Sequence, residues 1–151
     1  MDIFETTLSS HLVSTDVRRL DIDAIHGFLD RHSTWAQGIS RETVELSIAN
    51  SLNFGMYADA GAGPMVAFCR VITDLATFGN LVDVFVVPDL RGQGLSKLLM
   101  SAVMMHPVVP RLRRFTLATT DAHGLYGKYG FTPLNKPETF MEIYKPGIYQ
   151  R

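Results

Sequence analysis

Residues 81–87 read Leu-Val-Asp-Val-Phe-Val-Val, pass through Pro88, and run into Arg91-Gly92-Gln93-Gly94-Leu95-Ser96-Lys97. A nearly continuous apolar run of that length is expected as a central strand buried on both faces. Beyond the glycines the period becomes helical, with Leu95, Leu98, Leu99, Ala102, Val103 and His106 on one face until Pro107 and Pro110 stop it. Glycines at 92 and 94 remove side chains where a ligand would have to approach the backbone. The first amides of the helix have no internal partners and carry the positive end of its dipole. Together they form an anion cradle suited to a phosphate or pyrophosphate, with Arg91 and Lys97 adding charge beside it. The spacing does not fit the P-loop, which needs four residues between its glycines and then Gly-Lys-Ser/Thr. Nor does it fit the dinucleotide fingerprint, because position 97 is Lys and the motif comes late in the chain. Affinity for ATP or NAD at this turn is therefore not expected.

The rest of the chain supplies short elements for one sheet. Leu12–Thr15 reads as a first strand. Asp21–Arg31 reads as a helix, with Ile22, Ile25, Phe28 and Leu29 at helical spacing. Ser40 is a candidate N-cap for a second helix carrying Val44, Ile48 and Leu52, with Glu42 in its first turn. Strands are expected over Asn53–Asp59 and Met65–Thr73, separated by the Ala60–Pro64 turn, with a reversal at Gly79-Asn80 before Leu81–Val87. Arg114–Ala118 is a further strand. Asp121 is read as the cap of a short helix through Tyr126 and Tyr129 ended by Gly130, and residues 131–134 and 140–144 as two closing strands. The expectation is a single α/β (α+β) domain over residues 1–151, a mixed sheet of about six or seven strands with about four helices on its faces.

Composition narrows the class. Charged residues are 19% and hydrophobic residues 46%, a globular balance. The net charge of −1 provides no overall basic field, so no nucleic-acid partner is expected, and Arg111, Arg113 and Arg114 read as a solvated basic cluster. No run of about 18–20 apolar residues is present for a membrane helix, and the first ten residues lack a basic flank and an apolar segment. The single Cys69, between apolar neighbours, reads as buried filler in a reducing compartment, and a cytoplasmic protein is expected. Five scattered histidines have no ligand spacing, so no metal site is expected, and His106 reads as an imidazolium at a helix C-terminus.

Two motifs together resemble the GNAT acetyltransferase superfamily. The first is Arg91-Gly92-Gln93-Gly94-Leu95-Ser96 at the start of a helix, after a strand ending in Val-x-Pro, with Ser96 where the family prefers Gly or Ala. The second is Tyr126 followed by Gly130-Phe131, in the family's order and at about its distance. The resemblance runs from about Asn53 to Leu134.

The resemblance implies acetyl-CoA as donor and transfer to a primary amine, of a small molecule or of a peptide or protein, by direct attack in a ternary complex. It implies that pantetheine lies along main-chain groups of Val84, Phe85 and Val86, where the strand splays at a bulge. The pyrophosphate would sit on the amides of Gly92, Gln93, Gly94, Leu95, Ser96 and Lys97 beside Arg91. Thr119 stands where relatives often carry a CoA-contacting Asn. Tyr126 matches the general acid, although its helical spacing also suits a core aromatic. The residues leave the base open. Asp83, alone in an apolar run, is either the base or a structural acid bonded to backbone or to an Arg. Asp74, at the end of the preceding strand, is the second candidate. Polyamine-acetylating relatives often carry Glu-Asp where this chain has Val82-Asp83. Trp35, the only Trp, either lines the acceptor pocket or plugs a core edge, with His32 and Glu45 nearby. A non-catalytic acyl-CoA-binding module is the alternative, and a monomer or homodimer is compatible with both readings.

Overall fold

The computed structural model describes residues 1–150. Its elements, in chain order, are β1 (Glu5–Leu8), β2 (His11–Ser14), α1 (Ile22–Arg31), α2 (Arg41–Ala49), β3 (Leu52–Tyr57), β4 (Met65–Thr73), β5 (Phe78–Val86), α3 (Leu95–Met105), β6 (Arg114–Leu117) and α4 (His123–Gly127), with short 3-10 turns between. The six strands form one sheet in the order β1-β2-β3-β4-β5-β6. All pairs are antiparallel except β5–β6, which is parallel. A parallel pair needs a crossover, and α3 supplies it.

Each face of the sheet is covered by one helical pair. Ile25, Phe28 and Leu29 of α1 and Val44 and Ile48 of α2 pack with Tyr57, Met65, Phe68 and Phe85. Leu95, Leu99, Met100 and Val103 of α3 and Tyr126 of α4 pack with Phe54, Met56, Cys69 and Val71. In β5, Leu81 is buried against one helical pair and Phe85 against the other, whereas Val82, Val84 and Val86 are only half-buried, so the strand is less covered than its apolar run predicts. Helix entry follows the side chains: Asp21 accepts from the Ala24 amide at 3.0 Å and Ser40 from the Thr43 amide at 3.1 Å.

Several expectations are corrected. Strand β1 pairs with β2 through a tight turn in which Ser9 and Ser10 take φ of 47° and 66°. That geometry usually calls for Asn or Gly, which is why the hairpin is not legible in the sequence. The β4–β5 reversal lies at residues 74–77, and Gly79 and Asn80 stand inside β5. Residues 131–134 and 140–144 form no strand. Asp121 is exposed; the hydroxyl of Thr119 instead accepts from the Ala122 amide at 3.1 Å. His106 is 4% exposed, its Nδ1 accepts from the Val108 amide at 3.1 Å, and burial lowers its pKa, so it is a neutral core imidazole.

Candidate active site

The site starts from a slip in the β4–β5 ladder. Phe68 pairs with Phe85 and Arg70 with Val82, so Asp83 and Val84 together oppose Cys69. Asp83 has φ of +56°, and this β-bulge swings the end of β5 away from the regular sheet. On its other side β5 pairs with β6 only from Phe78 to Leu81, where β6 ends at Leu117. Val84, Phe85 and Val86 therefore keep a free main-chain edge facing away from β4, able to accept an extended ligand as an added strand.

Beyond Val86 the chain turns through Pro88–Leu90 into the glycines. Gly92 and Gly94 have φ of +82° and +77°, and a Cβ at either would meet nothing within 4 Å. The glycines thus serve backbone conformation and leave open space in front of the amides. Gly94 caps α3 with no side-chain bond to the exposed amides. Leu95 turns its side chain into the core and is 4% exposed, so it offers a ligand only its amide and anchors the helix start. Arg91, Gln93 and Lys97 are exposed around the turn, and Ser96 is half-buried. These residues fit a pyrophosphate: uncapped amides, a dipole end, open space and two cations.

A cavity of about 310 Å³ connects these features. Its walls include residues 84–86, Arg91 and Ser96 together with Phe28, His32, Thr34 and Trp35. Phe28 stacks on Phe85 with centroids 4.1 Å apart and planes 11° apart. Trp35 lies 6.3 Å and His32 6.0 Å from the same Phe28 ring. Trp35 therefore lines the pocket: it is 49% exposed, with its indole N–H donating to Asp83 Oδ1 at 3.0 Å.

Asp83 is held from two sides. Arg70 Nε donates to its Oδ2 at 2.6 Å, while Arg70 Nη1 donates to the Ser51 hydroxyl at 3.0 Å. The Asp83 side chain is 8% and the Arg70 side chain 15% exposed. Arg70 was not singled out in the sequence, although one signal existed: a lone Arg in the apolar run 65–72 and a lone Asp in the apolar run 81–87. Phe28, read as a core residue, also has a place in the cavity wall. Asp74 is not brought to the cavity. Its carboxylate accepts from the Thr77 hydroxyl at 2.6 Å and from the amides of Ala76, Thr77 and Phe78, bonds that close the β4–β5 turn and lower its pKa. That turn precedes Phe78, which stands eight residues along β5 from Val86, roughly 26 Å away.

Tyr126 lies in α4, 8% exposed, with its ring edge-on to Phe131 at 6.0 Å. It packs in the same core cluster as Cys69, the residue opposite the bulge. Burial raises its phenol pKa above the ordinary value, with smaller contributions from Cys69 and Asp121. The phenol is thus protonated at neutral pH, the state a proton donor needs. Tyr129 fixes α4 to α3 by donating to the Lys97 carbonyl at 2.8 Å. The Cys69 thiol is fully buried and its pKa is pushed well up by burial, so it behaves as an apolar filler.

Known proteins are similar in sequence and in fold. The family described as the acetyltransferase (GNAT) domain matches residues 53–133. A candidate acetyltransferase of Gibberella zeae is 32% identical over 141 residues, covering 81% of this chain and 78% of that protein. The crystal structure of a candidate GNAT-family acetyltransferase from Xanthomonas campestris pv. campestris superposes with a TM-score of 0.89 at 50% identity, covering 96% of this chain and all of that one. Glucosamine-6-phosphate N-acetyltransferase from Arabidopsis thaliana, at 16% identity, shares the fold alone, with a TM-score of 0.57 over 96% of this chain and 98% of that chain. With its glycine turn, open strand edge and buried tyrosine in one fold, the chain belongs to the GNAT acetyltransferase family.

Proposed function

We propose that this chain is a single acetyltransferase domain that moves an acetyl group from acetyl-CoA to the primary amine of a small acceptor with an apolar or aromatic body. One observation carries the reading: a single cavity is lined by the open edge of β5, by Arg91 and Ser96 at the uncapped start of α3, and by aromatic side chains. Acetyl-CoA, when bound, supplies the thioester whose acyl group the amine takes. The edge of residues 84–86 holds the donor extended, and the amides of residues 92–97 with Arg91 and Lys97 hold its phosphates. Thr119 accepts from the amide of Ala122, the N-cap residue of α4, and its part in this reading is to help set the position of Tyr126. The Tyr126 phenol keeps its proton at neutral pH and gives it to the departing sulfur.

The amine must arrive without its extra proton. Asp83 is engaged by Arg70 and Trp35 through separate oxygens, which suits holding the indole in place better than accepting a proton. His32, exposed on the cavity wall, is the imidazole in position to accept that proton, directly or through one water. With Asp83 already paired, no free carboxylate lines the cavity among the described residues, which disfavours a polycationic acceptor. A flat apolar amine instead gains the exposed Trp35 ring, with Phe28 behind it in the wall. The buried, unpaired Cys69 is consistent with a reducing, cytoplasmic setting.

The test begins with thermal unfolding in acetyl-CoA, CoA and ATP. A ligand at about 100 times its Kd adds roughly 2.7 kcal/mol, a rise of about 5–11 °C for a domain of this size. A rise with both CoA species and none with ATP is expected; no rise on folded, ligand-free protein overturns the donor assignment. An amine panel scored by CoA release then compares arylalkylamines with polyamines and lysine peptides. Arylalkylamines should also quench the fluorescence of Trp35, the only Trp in the chain. Turnover confined to polyamines or lysine peptides would overturn the acceptor class and leave the donor assignment standing.

A further inference from the structure

We propose that Tyr149 is a positioning residue for the acceptor: it clamps the loop of residues 33–39, so that Trp35 stays in the wall of the cavity. The role in acceptor binding rests on the reading of that cavity given above, whereas the clamping of the loop does not.

From residue 132 to residue 150, Tyr149 is the one residue that is not exposed. It packs on the core cluster that includes Ala36 and Ile39 of the loop and Phe28 and Phe85 of the cavity. The chain leading to it gains little from its surroundings. Met141 is 97% and Ile143 93% exposed, and residues 140–150 belong to no strand or helix. Ordering such a segment costs conformational entropy at every residue, so the contact that holds it must repay that cost. Two local turns lead the chain into and out of Tyr149. In them the Ile148 amide donates to the Lys145 carbonyl at 3.2 Å and the Gln150 amide to the Gly147 carbonyl at 3.1 Å.

The backbone closes on the loop as well. Gly38 has φ of +86°, and a Cβ there would stand 2.5 Å from the Tyr149 carbonyl oxygen. Position 38 therefore takes glycine both for its left-handed backbone and for the close approach of Tyr149. One side of the loop is tied to α1. The Ser33 hydroxyl donates to the Leu29 carbonyl at 2.6 Å and accepts from the Ala36 amide at 3.0 Å. The Gly38 amide donates to Asp30 Oδ1 at 3.0 Å, and His26 Nε2 donates to the Ile39 carbonyl at 2.9 Å. On the side where a Cβ would point, Gly38 is closed in by Tyr149 and Gln150. Trp35 lies between Ser33 and Gly38 and reaches across to Asp83 through its indole N–H. Gly38 is the freest hinge of the loop, and Tyr149 occupies the space beside it. Without the Tyr149 ring the loop can lift at Gly38 and carry Trp35 off Asp83. The ring packs among apolar side chains, so phenylalanine should serve in its place.

Time-resolved anisotropy of Trp35, the only Trp in the chain, reads the clamp without any substrate. Tyr149→Ala should show a larger amplitude of nanosecond motion than wild type, and Tyr149→Phe should match wild type. Tyr149 is half-buried and lies outside every helix and strand, so Tyr149→Ala keeps the core, which circular dichroism at the assay temperature checks. In the amine assay, Tyr149→Ala should raise the acceptor KM about tenfold, with kcat and the Kd for CoA within about twofold of wild type. Tyr149→Phe should restore the wild-type KM. A residue that only supported the fold would lower Tm without producing that split. In a Trp35→Ala background, Tyr149→Ala should raise KM no further, because the two residues act through one contact. Unchanged anisotropy in folded Tyr149→Ala overturns the clamp. An unchanged acceptor KM, or an effect that simply adds to that of Trp35→Ala, overturns the role in acceptor positioning. Absence of turnover with every amine would overturn the acceptor reading itself, and the anisotropy would still decide the clamp.

Discussion

Arg70 Nε donates to Asp83 Oδ2 at 2.6 Å, and this bond ties β4 to β5 where their register slips. The bulge would otherwise leave a carboxylate beneath the cavity wall with only the Trp35 indole as partner. Arg70→Ala is therefore expected to lose about 3 kcal/mol, because removing one member of a buried pair strands the other. Urea unfolding measures it, and a loss below about 1 kcal/mol would show that the pair is screened like a surface one.

Asp83 and His32 separate by kinetics. If Asp83 positions Trp35 and His32 accepts the proton, Asp83→Asn raises the acceptor KM with little change in kcat. His32→Gln lowers kcat, and with it kcat/KM, by about 10²-fold or more. The reverse pattern would return the base to Asp83.

Tyr126→Phe is expected to lower kcat by about 10²-fold or more while leaving CoA affinity unchanged. The sign of its pH dependence follows from the raised phenol pKa: activity needs the protonated phenol, so it is retained through neutral and mildly alkaline pH and falls only above the ordinary tyrosine range. An alkaline limb near pH 8 assigned to this residue would contradict that.

Gly94→Ala tests the cradle. The added methyl meets no atom within 4 Å, so the penalty is the left-handed backbone at φ of +77°, about 1–2 kcal/mol. The chain relieves it by rotating the first amides of α3 away from the anion. CoA binding measured by calorimetry should weaken about tenfold, with the acceptor KM unaffected.

Tyr57 supplies a stability test away from the chemistry. Its hydroxyl is buried with no hydrogen-bond partner, and burial pushes its pKa up to about 12. The folded state holds this proton more tightly than the unfolded chain, so its contribution is full below about pH 10 and is lost as pH rises toward 12. Tyr57→Phe should match or exceed wild-type stability at pH 7, since it removes an unsatisfied buried group. It should also reduce the loss of stability between pH 10 and 12 by about 2–3 kcal/mol. A loss of more than about 1 kcal/mol at pH 7 would mean the hydroxyl has a partner after all.

What the sequence by itself determined is local. Apolar spacing placed α1, α3 and most of α2, although Leu52, read on α2, begins β3; Ser40 capped α2 as expected, and the glycine turn before α3 was legible because backbone conformation there depends on two missing side chains. Family motifs extended that reading to Tyr126. Only the tertiary structure decided which lone charges meet. Arg70 and Asp83 are thirteen residues apart and become partners through strand register, and Trp35 reaches Asp83 from forty-eight residues away. The same holds for residues 140–144. Their alternation is a strand pattern, but a strand exists only when another backbone takes up its hydrogen bonds, and among the described residues none does.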